Sequence, residues 1–387
     1  MAYMRKLLDP TRTGHVAQRL ETDLHRRIVG QDEAIQQLIQ VYQTNLAGMS
    51  APGRPIANLL FLGPTGSGKT RLVESVAESL AGSSRAMIKV DCGEFQHSHE
   101  IAKLIGSPPG YLGHRETHAL LSQEALNEYH TETFKISFLL FDEIEKASDA
   151  LWNLLLGILD KATLTLGDNR RVDFSQTVIF MTSNVGAAEI AGLLQPRMGF
   201  SSGEAEHKQD VGEVDAGLEA KMKRAGIEAQ RRKFTPEFIN RLDKTIVFRP
   251  LSGEDLRAIL EIELNAVQER IFSAPNLSPF VMTVTDPARD YLLLEGTDLK
   301  YGARHLKRAI DRLVVHPLSN LIATGQVVGG DLIRVDFDGV PGRLTFFKDA
   351  SRTAVPTPRA DTAAAGHLAA EIRHEPLAWF RTRSTRR

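Results

Sequence analysis

The eight residues Gly63-Pro64-Thr65-Gly66-Ser67-Gly68-Lys69-Thr70 constrain this chain more than any other stretch. An apolar run, Asn58-Leu59-Leu60-Phe61-Leu62, precedes them, and residues 71–80 follow with apolar positions at helical spacing. The pattern G-x-x-x-x-G-K-[ST] between a buried strand and an amphipathic helix is a phosphate-binding loop. Its glycines let successive backbone N–H groups curl around phosphate oxygens without Cβ clashes. Lys69 is placed to reach the β- and γ-phosphates, Thr70 offers a hydroxyl to Mg²⁺, and the helix N-terminus adds partial positive charge. The competing reading is a chance glycine-rich turn, and the strand–loop–helix context argues against it.

A length of 387 residues allows two or three compact units. Forty-seven Lys plus Arg against 48 Asp plus Glu leave no basic field over the whole chain that would point to nucleic acid. One cysteine, Cys92, excludes a disulfide framework within the chain and a Cys₄ zinc site. The first residues have no apolar stretch of secretory type, and no run approaches the ~18 apolar residues of a membrane span. The expectation is a cytoplasmic protein with no membrane partner.

Along the chain, residues 1–20 read as a polar lead-in. A nucleotide-binding α/β domain is expected over 21–250, with a helix after the stretch Ile28-Val29-Gly30-Gln31-Asp32. Further strands are expected at 86–91, 137–142, 177–182 and 245–248, and their alternation with helices predicts a five-stranded parallel sheet flanked by helices. Residues 185–232 read as a loop plus one helix. A smaller α+β domain is expected over 251–349, with helices near 253–272, 287–294 and 302–322 and strands at 281–285, 332–337 and 343–347. Residues 350–387 read as a disordered basic tail.

Two other strand ends carry chemistry. Phe138-Leu139-Leu140-Phe141 runs into Asp142 and Glu143. An acid at the carboxyl end of a central strand can hold a Mg²⁺ shell, the role expected of Asp142, while Glu143 is placed to orient or deprotonate an attacking water. Alone, such acids are often solvated turn residues; beside a P-loop they read as hydrolytic. Asn184, after the strand at 177–182, either hydrogen-bonds the γ-phosphate or the water, or serves as a helix cap or turn residue.

Taken in order, these stretches resemble the Walker A, Walker B and sensor 1 motifs of the Clp-type AAA+ protein unfoldases, and most closely the second ATPase ring of ClpA, ClpB and ClpC. The resemblance covers roughly residues 20–348. It implies that Ile28 and Val29 sit against the adenine. Arg241, in Phe238-Ile239-Asn240-Arg241-Leu242, matches the arginine finger, and Arg304, in Tyr301-Gly302-Ala303-Arg304, matches the sensor 2 arginine. A guanidinium suits both roles because it stays protonated and makes forked hydrogen bonds. The resemblance further implies ATP and Mg²⁺ as cofactors and a homo-hexameric ring. Pro108-Pro109-Gly110-Tyr111-Leu112-Gly113 resembles the pore loop that grips a polypeptide, with Tyr111 as the aromatic and Leu112 where the relatives have Val. Residues 166–174 resemble the second pore loop, with Arg170 and Arg171 as possible contacts for the chain. Met198-Gly199-Phe200 resembles the tripeptide that docks on a ClpP-like peptidase. The expectation is a single ring without the family's first ring, middle domain or N-terminal domain, with an adaptor as one route of substrate delivery. The alternatives are a nucleic-acid motor or loader on the same core, and a nucleotide-dependent scaffold that does not thread. Ser67, where relatives often carry Val or Ala, reaches a phosphate or faces water. His97 and His99 read as solvated loop residues, and Cys92 as buried filler.

Overall fold

The computed structural model describes residues 9, 11–107, 119–194, 216–275, 278–297 and 302–349. Its centre is a five-stranded parallel sheet. In chain order the strands of the described residues begin with β1 (Ala57–Leu62), β2 (Ile88–Asp91), β3 (Ser137–Asp142), β4 (Thr163–Thr165), β5 (Arg171–Asp173), β6 (Thr177–Ser183) and β7 (Lys244–Val247). The central sheet has the order β2-β3-β6-β1-β7. All six residues of β1 and all seven of β6 are buried, as expected for strands covered by helices on both faces. Alternation sorts them: Leu60, Leu62, Phe141 and Met181 pack on one face with the helix Asp149–Lys161, while Leu59, Phe61, Phe138 and Phe180 pack on the other with three N-terminal helices.

Those three are α1 (His15–Arg27), α2 (Asp32–Leu46) and α3 (Lys69–Ala81). α1 begins inside the stretch read as polar lead-in, which corrects that expectation. Its composition is polar, but Ala17, Leu20 and Leu24 fall on one stripe and are buried in the core that α1 shares with α2 and α3. Residues 185–232 likewise hold two helices among the described residues, Ala187–Leu194 and Ala216–Lys233. β4 and β5 pair as a short antiparallel hairpin over the region likened to a second pore loop. Its ends, Leu166 and Phe174, are buried, and Arg170 at the tip is ion-paired to Asp168 and Glu124 at 2.7 and 3.0 Å.

The small C-terminal domain opens with the helix Gly253–Ser273, started by a capping box in which Ser252 N–H donates to Asp255 (2.8 Å) and Asp255 N–H donates to Ser252 Oγ (3.1 Å). β8 (Val281–Val284), β9 (Leu332–Asp336) and β10 (Thr345–Asp349) form a three-stranded sheet, parallel between β8 and β9 and antiparallel between β9 and β10. The helix predicted over 302–322 runs from Ala303 to Ala323, with a π-helical turn at Asp311–Val315 beside Pro317, which has no N–H to donate.

Candidate nucleotide site

Parallel register brings the polar strand ends together. Leu62 of β1 pairs with Ser183 of β6, and Asp91 of β2 pairs with Asp142 of β3. The P-loop, Asp142, Glu143 and Asn184 therefore share one edge of the sheet, the carboxyl edge where open α/β sheets bind ligands. A cavity of about 350 Å³ opens there, walled by the P-loop, Ile28, Val29, the strand-end acids, and Leu251, Ile259, Ile262 and Arg304 from farther along the chain.

The loop has the backbone that its glycines permit. Gly63, Gly66 and Gly68 have φ of 142°, 77° and 99°. A Cβ on Gly63 would lie 2.6 Å from the Phe248 carbonyl oxygen, so a side chain there is excluded. Lys69 is buried and donates to the carbonyls of Gly63 (2.7 Å) and Pro64 (2.9 Å) and to Asn184 Oδ1 (3.0 Å). Burial lowers its pKa to about 8, partly offset by Glu145 and Asp142. An anion in the loop would restore the charge. Ser67 Oγ is buried and has no hydrogen-bond partner among the described residues, which rules out the water-facing alternative.

Asp142 is held on both oxygens. Oδ1 accepts from Thr182 and, at 3.4 Å, from Thr70; Oδ2 pairs with Lys89 at 2.9 Å. Burial pushes its pKa up, but the hydrogen bonds from Thr182 and Lys89 outweigh that and leave it below the usual carboxylate value. Thr70 and Asp142 offer the hard oxygen ligands that Mg²⁺ takes, so the residues fit a nucleotide-bound magnesium ion. Glu143 sits in the left-handed region (φ 56°), its N–H donating to Thr182 Oγ1 at 3.1 Å and its carboxylate bonded to Lys146 and, at 3.3 Å, to Asn184 Nδ2. That unusual backbone aims the carboxylate across the edge towards Asn184. The Asn184 side chain joins Lys69, Thr65 and Glu143 rather than capping a helix.

Arg304 joins this edge from the small domain. Its helix begins after Gly302, and Ala303 N–H reaches the Gly66 carbonyl at 3.3 Å. A Cβ on Gly302 would come within 2.9 Å of the same oxygen. Arg241 is elsewhere. It follows the helix Pro236–Ile239, its carbonyl is bonded to Asn58 at the amino end of β1, and its guanidinium pairs with Glu237 at 3.1 Å. Five residues of strand, roughly 16 Å, separate Asn58 from the P-loop. Tyr111, Leu112, Met198, Gly199 and Phe200 lie outside the described residues.

The structure adds residues that sequence patterns do not single out. Gln31 donates to the Ser67 (3.2 Å) and Arg249 (2.9 Å) carbonyls and accepts from Arg249 N–H (3.2 Å), tying the Ile28–Val29 wall to the P-loop. Glu145 accepts from Asn184 N–H at 3.1 Å. Ile259 and Ile262 line the same cavity as Ile28, a one-turn spacing visible in the sequence but assignable to a site only once the small domain is in place. His97 and His99 stack at 5.7 Å in an exposed segment, and no metal-type cluster occurs among the described residues. Cys92 is fully buried, which pushes its thiol pKa up.

Sheet order, P-loop and strand-end acids together define a nucleotide-binding domain of the AAA+ class. Residues 54–245 match the family described as AAA domain (Cdc48 subfamily), and residues 251–335 match the C-terminal, D2-small domain of ClpB protein. The chain belongs to the Clp-type AAA+ ATPases. It is 38% identical over 338 residues to the ATP-dependent Clp protease ATP-binding subunit ClpC of Staphylococcus aureus, covering 87% of this chain and 38% of that one. With the ClpC of Staphylococcus saprophyticus it shares 40% over 320 residues, 83% and 36% of the two chains. Structures of Hsp104 superpose with a TM-score of 0.68: a closed state with ATPγS and casein (30% identity, 86% of this chain and 51% of that one) and an extended casein complex from S. cerevisiae (29%, 85% and 52%). The chain thus spans less than two fifths of the length of these ClpC relatives.

Proposed function

We propose that this chain hydrolyses ATP with Mg²⁺ and uses the energy to draw polypeptide through a homo-hexameric ring, unfolding or remodelling it. The observation that most supports this is the split between the two ends of the sheet. The phosphate edge gathers Lys69, Asp142, Glu143, Asn184 and Arg304, while Arg241 stands at the other end, too far to serve its own chain's nucleotide. In the proposed ring Arg241 completes a neighbour's site, so hydrolysis requires assembly. Lys69 and the P-loop amides hold the phosphates, Thr70 and Asp142 hold Mg²⁺, and Glu143 takes the proton of a water that Asn184 helps to orient. Arg304 links nucleotide state to the angle of the small domain.

Threading is assigned to Tyr111 and Leu112. Changing Tyr111 to Ala should abolish unfolding of a tagged substrate while ATPase continues; unchanged unfolding would sink threading, and no unfolding by either chain would leave the scaffold reading. The ClpC relatives are named as subunits of a protease, and Met198-Gly199-Phe200 is the proposed contact for a ClpP-like peptidase. Pull-down of that peptidase should fail for a Gly199/Phe200 double substitution, and equal capture would remove the assignment.

A further inference from the structure

Asn58 is fully buried, yet it brings an amide into the apolar strand β1. Its Nδ2 donates to two carbonyls on different elements, Leu159 O and Arg241 O, each at 3.0 Å. Leu159 belongs to the last turn of the helix Asp149–Lys161, where carbonyls lack intrahelical donors. The Asn58 backbone is bonded twice to the same turn as Arg241: Asn58 N–H donates to Asp243 Oδ2 (2.7 Å), and Asp243 N–H donates to Asn58 O (2.9 Å). Arg54 adds a weaker donor to the Arg241 carbonyl at 3.4 Å. On the other side, Phe238 sets its ring edge-on to Trp152 of that same helix, with centroids 4.7 Å apart. The Asn58 Oδ1 has no partner among the described residues. A buried amide left half-satisfied costs stability that an apolar residue would not, so packing gives no reason for asparagine here, whereas the two carbonyls do.

We infer that Asn58 is a positioning residue for Arg241. It fastens the arginine's turn both to the strand that ends in the P-loop and to the helix that follows Asp142 and Glu143. Movement of either element at a subunit's own nucleotide is thereby passed to the arginine it offers its neighbour. The inference rests on the reading of Arg241 given above.

The test is a double-mutant cycle on the full chain assembled with ATP, reading kcat and KM, with fluorescent-nucleotide affinity of the dilute subunit measured alongside. Asn58→Ala should lower kcat about tenfold, the scale of one lost buried hydrogen bond, and leave that affinity unchanged. Arg241→Ala should lower kcat further. The double variant should be no slower than Arg241→Ala alone, because a guanidinium that is gone cannot be misplaced. Losses that multiply, or an Asn58→Ala chain with full kcat, overturn the inference. Asn58→Ser, which keeps one donor, and Arg54→Met, which weakens the same clamp from the surface, go through the same cycle, so that a misfolded Asn58→Ala does not decide the matter; additive losses in both overturn the inference equally. An Arg241→Ala chain with full kcat instead overturns the role given to Arg241, whatever Asn58 does.

Discussion

At the carboxyl ends of β1, β3 and β6 the polar side chains bond to one another: Lys69 to Asn184, Asn184 to Glu143, Thr70 and Thr182 to Asp142. At the amino end of β1 the polar groups mostly serve the backbone, and among the described residues the largely buried Arg241 guanidinium bonds only to the carbonyl and carboxylate of Glu237, four residues before it. The first region is a candidate nucleotide site whose phosphate-side groups all come from one chain. The second holds a catalytic-type group next to no phosphate site of its own. The Arg241 side chain is 22% exposed and Glu237 61% exposed, and a pair screened by water on the carboxylate side contributes little to stability, so the contact with Glu237 costs little to undo when a better anion arrives. In the proposed ring, the difference separates nucleotide binding, assigned to the single chain, from hydrolysis, assigned to a pair of neighbouring copies.

The sharpest way to break that separation is Arg241→Ala. Nucleotide affinity of the dilute subunit should be unchanged while kcat of the assembled protein falls by roughly 10³-fold, the scale of a missing arginine finger. Adding subunits that carry Arg241 but have Lys69→Ala should restore part of the rate, since each would serve a neighbour's intact site. If affinity and kcat fall together, Arg241 acts within its own chain and the comparison collapses.

Glu143→Gln probes the other region. The amide keeps the shape and the Asn184 contact but cannot accept a proton. kcat should drop on the order of 10²- to 10³-fold while ATP-bound rings accumulate, as seen by sizing with ATP. A chain that hydrolyses normally would return Glu143 to the status of a strand-end acid. Failure to assemble with ATP would instead count against the ring that Arg241 needs.

Much of the phosphate edge could be read from local sequence because its requirements are local. Glycines at 63, 66 and 68, with Lys69 and Thr70, report a loop whose conformation depends on residues within the loop itself, and β3 ends at Asp142 as its apolar run predicts. The amino end is different. Asn58 meets Leu159 across 101 positions and Arg241 across 183, so no window of sequence shows that an asparagine in an apolar run is a clamp. Helix α1 is hard to read from sequence because three apolar residues suffice for a buried stripe in a segment otherwise mostly polar and charged. The β4–β5 hairpin has strands of three residues each, too short for alternation to register, and its turn is marked only by Gly167-Asp168-Asn169 with Asn169 at φ 68°. Gln31 lies in the stretch from Ile28 to Asp32, but its partners Ser67 and Arg249 belong to distant segments, so local sequence does not show its role.

A smaller effect distinguishes the phosphate edge by its titration. Burial holds the pKa of Lys69 at about 8, below its ordinary value of 10.5. The folded protein without nucleotide therefore loses this proton as pH rises through 8, while phosphate oxygens beside the amine favour the charged form and raise the pKa in the complex. Below pH 8 the lysine is charged both before and after binding, and affinity should not change on its account. Above pH 8 binding must take up a proton, so affinity should fall by up to about tenfold per pH unit until the pKa of the complex is passed. Calorimetric titration in two buffers of different ionisation enthalpy reads this directly as proton uptake, absent at pH 7 and approaching one proton per nucleotide near pH 9. Uptake already present at pH 7 would mean that the neighbouring acids Glu145, Asp142 and Glu143 do less to keep the amine charged than the geometry requires. Its absence at pH 9 would mean that they outweigh burial altogether, and the lysine would then meet the nucleotide already charged at every working pH.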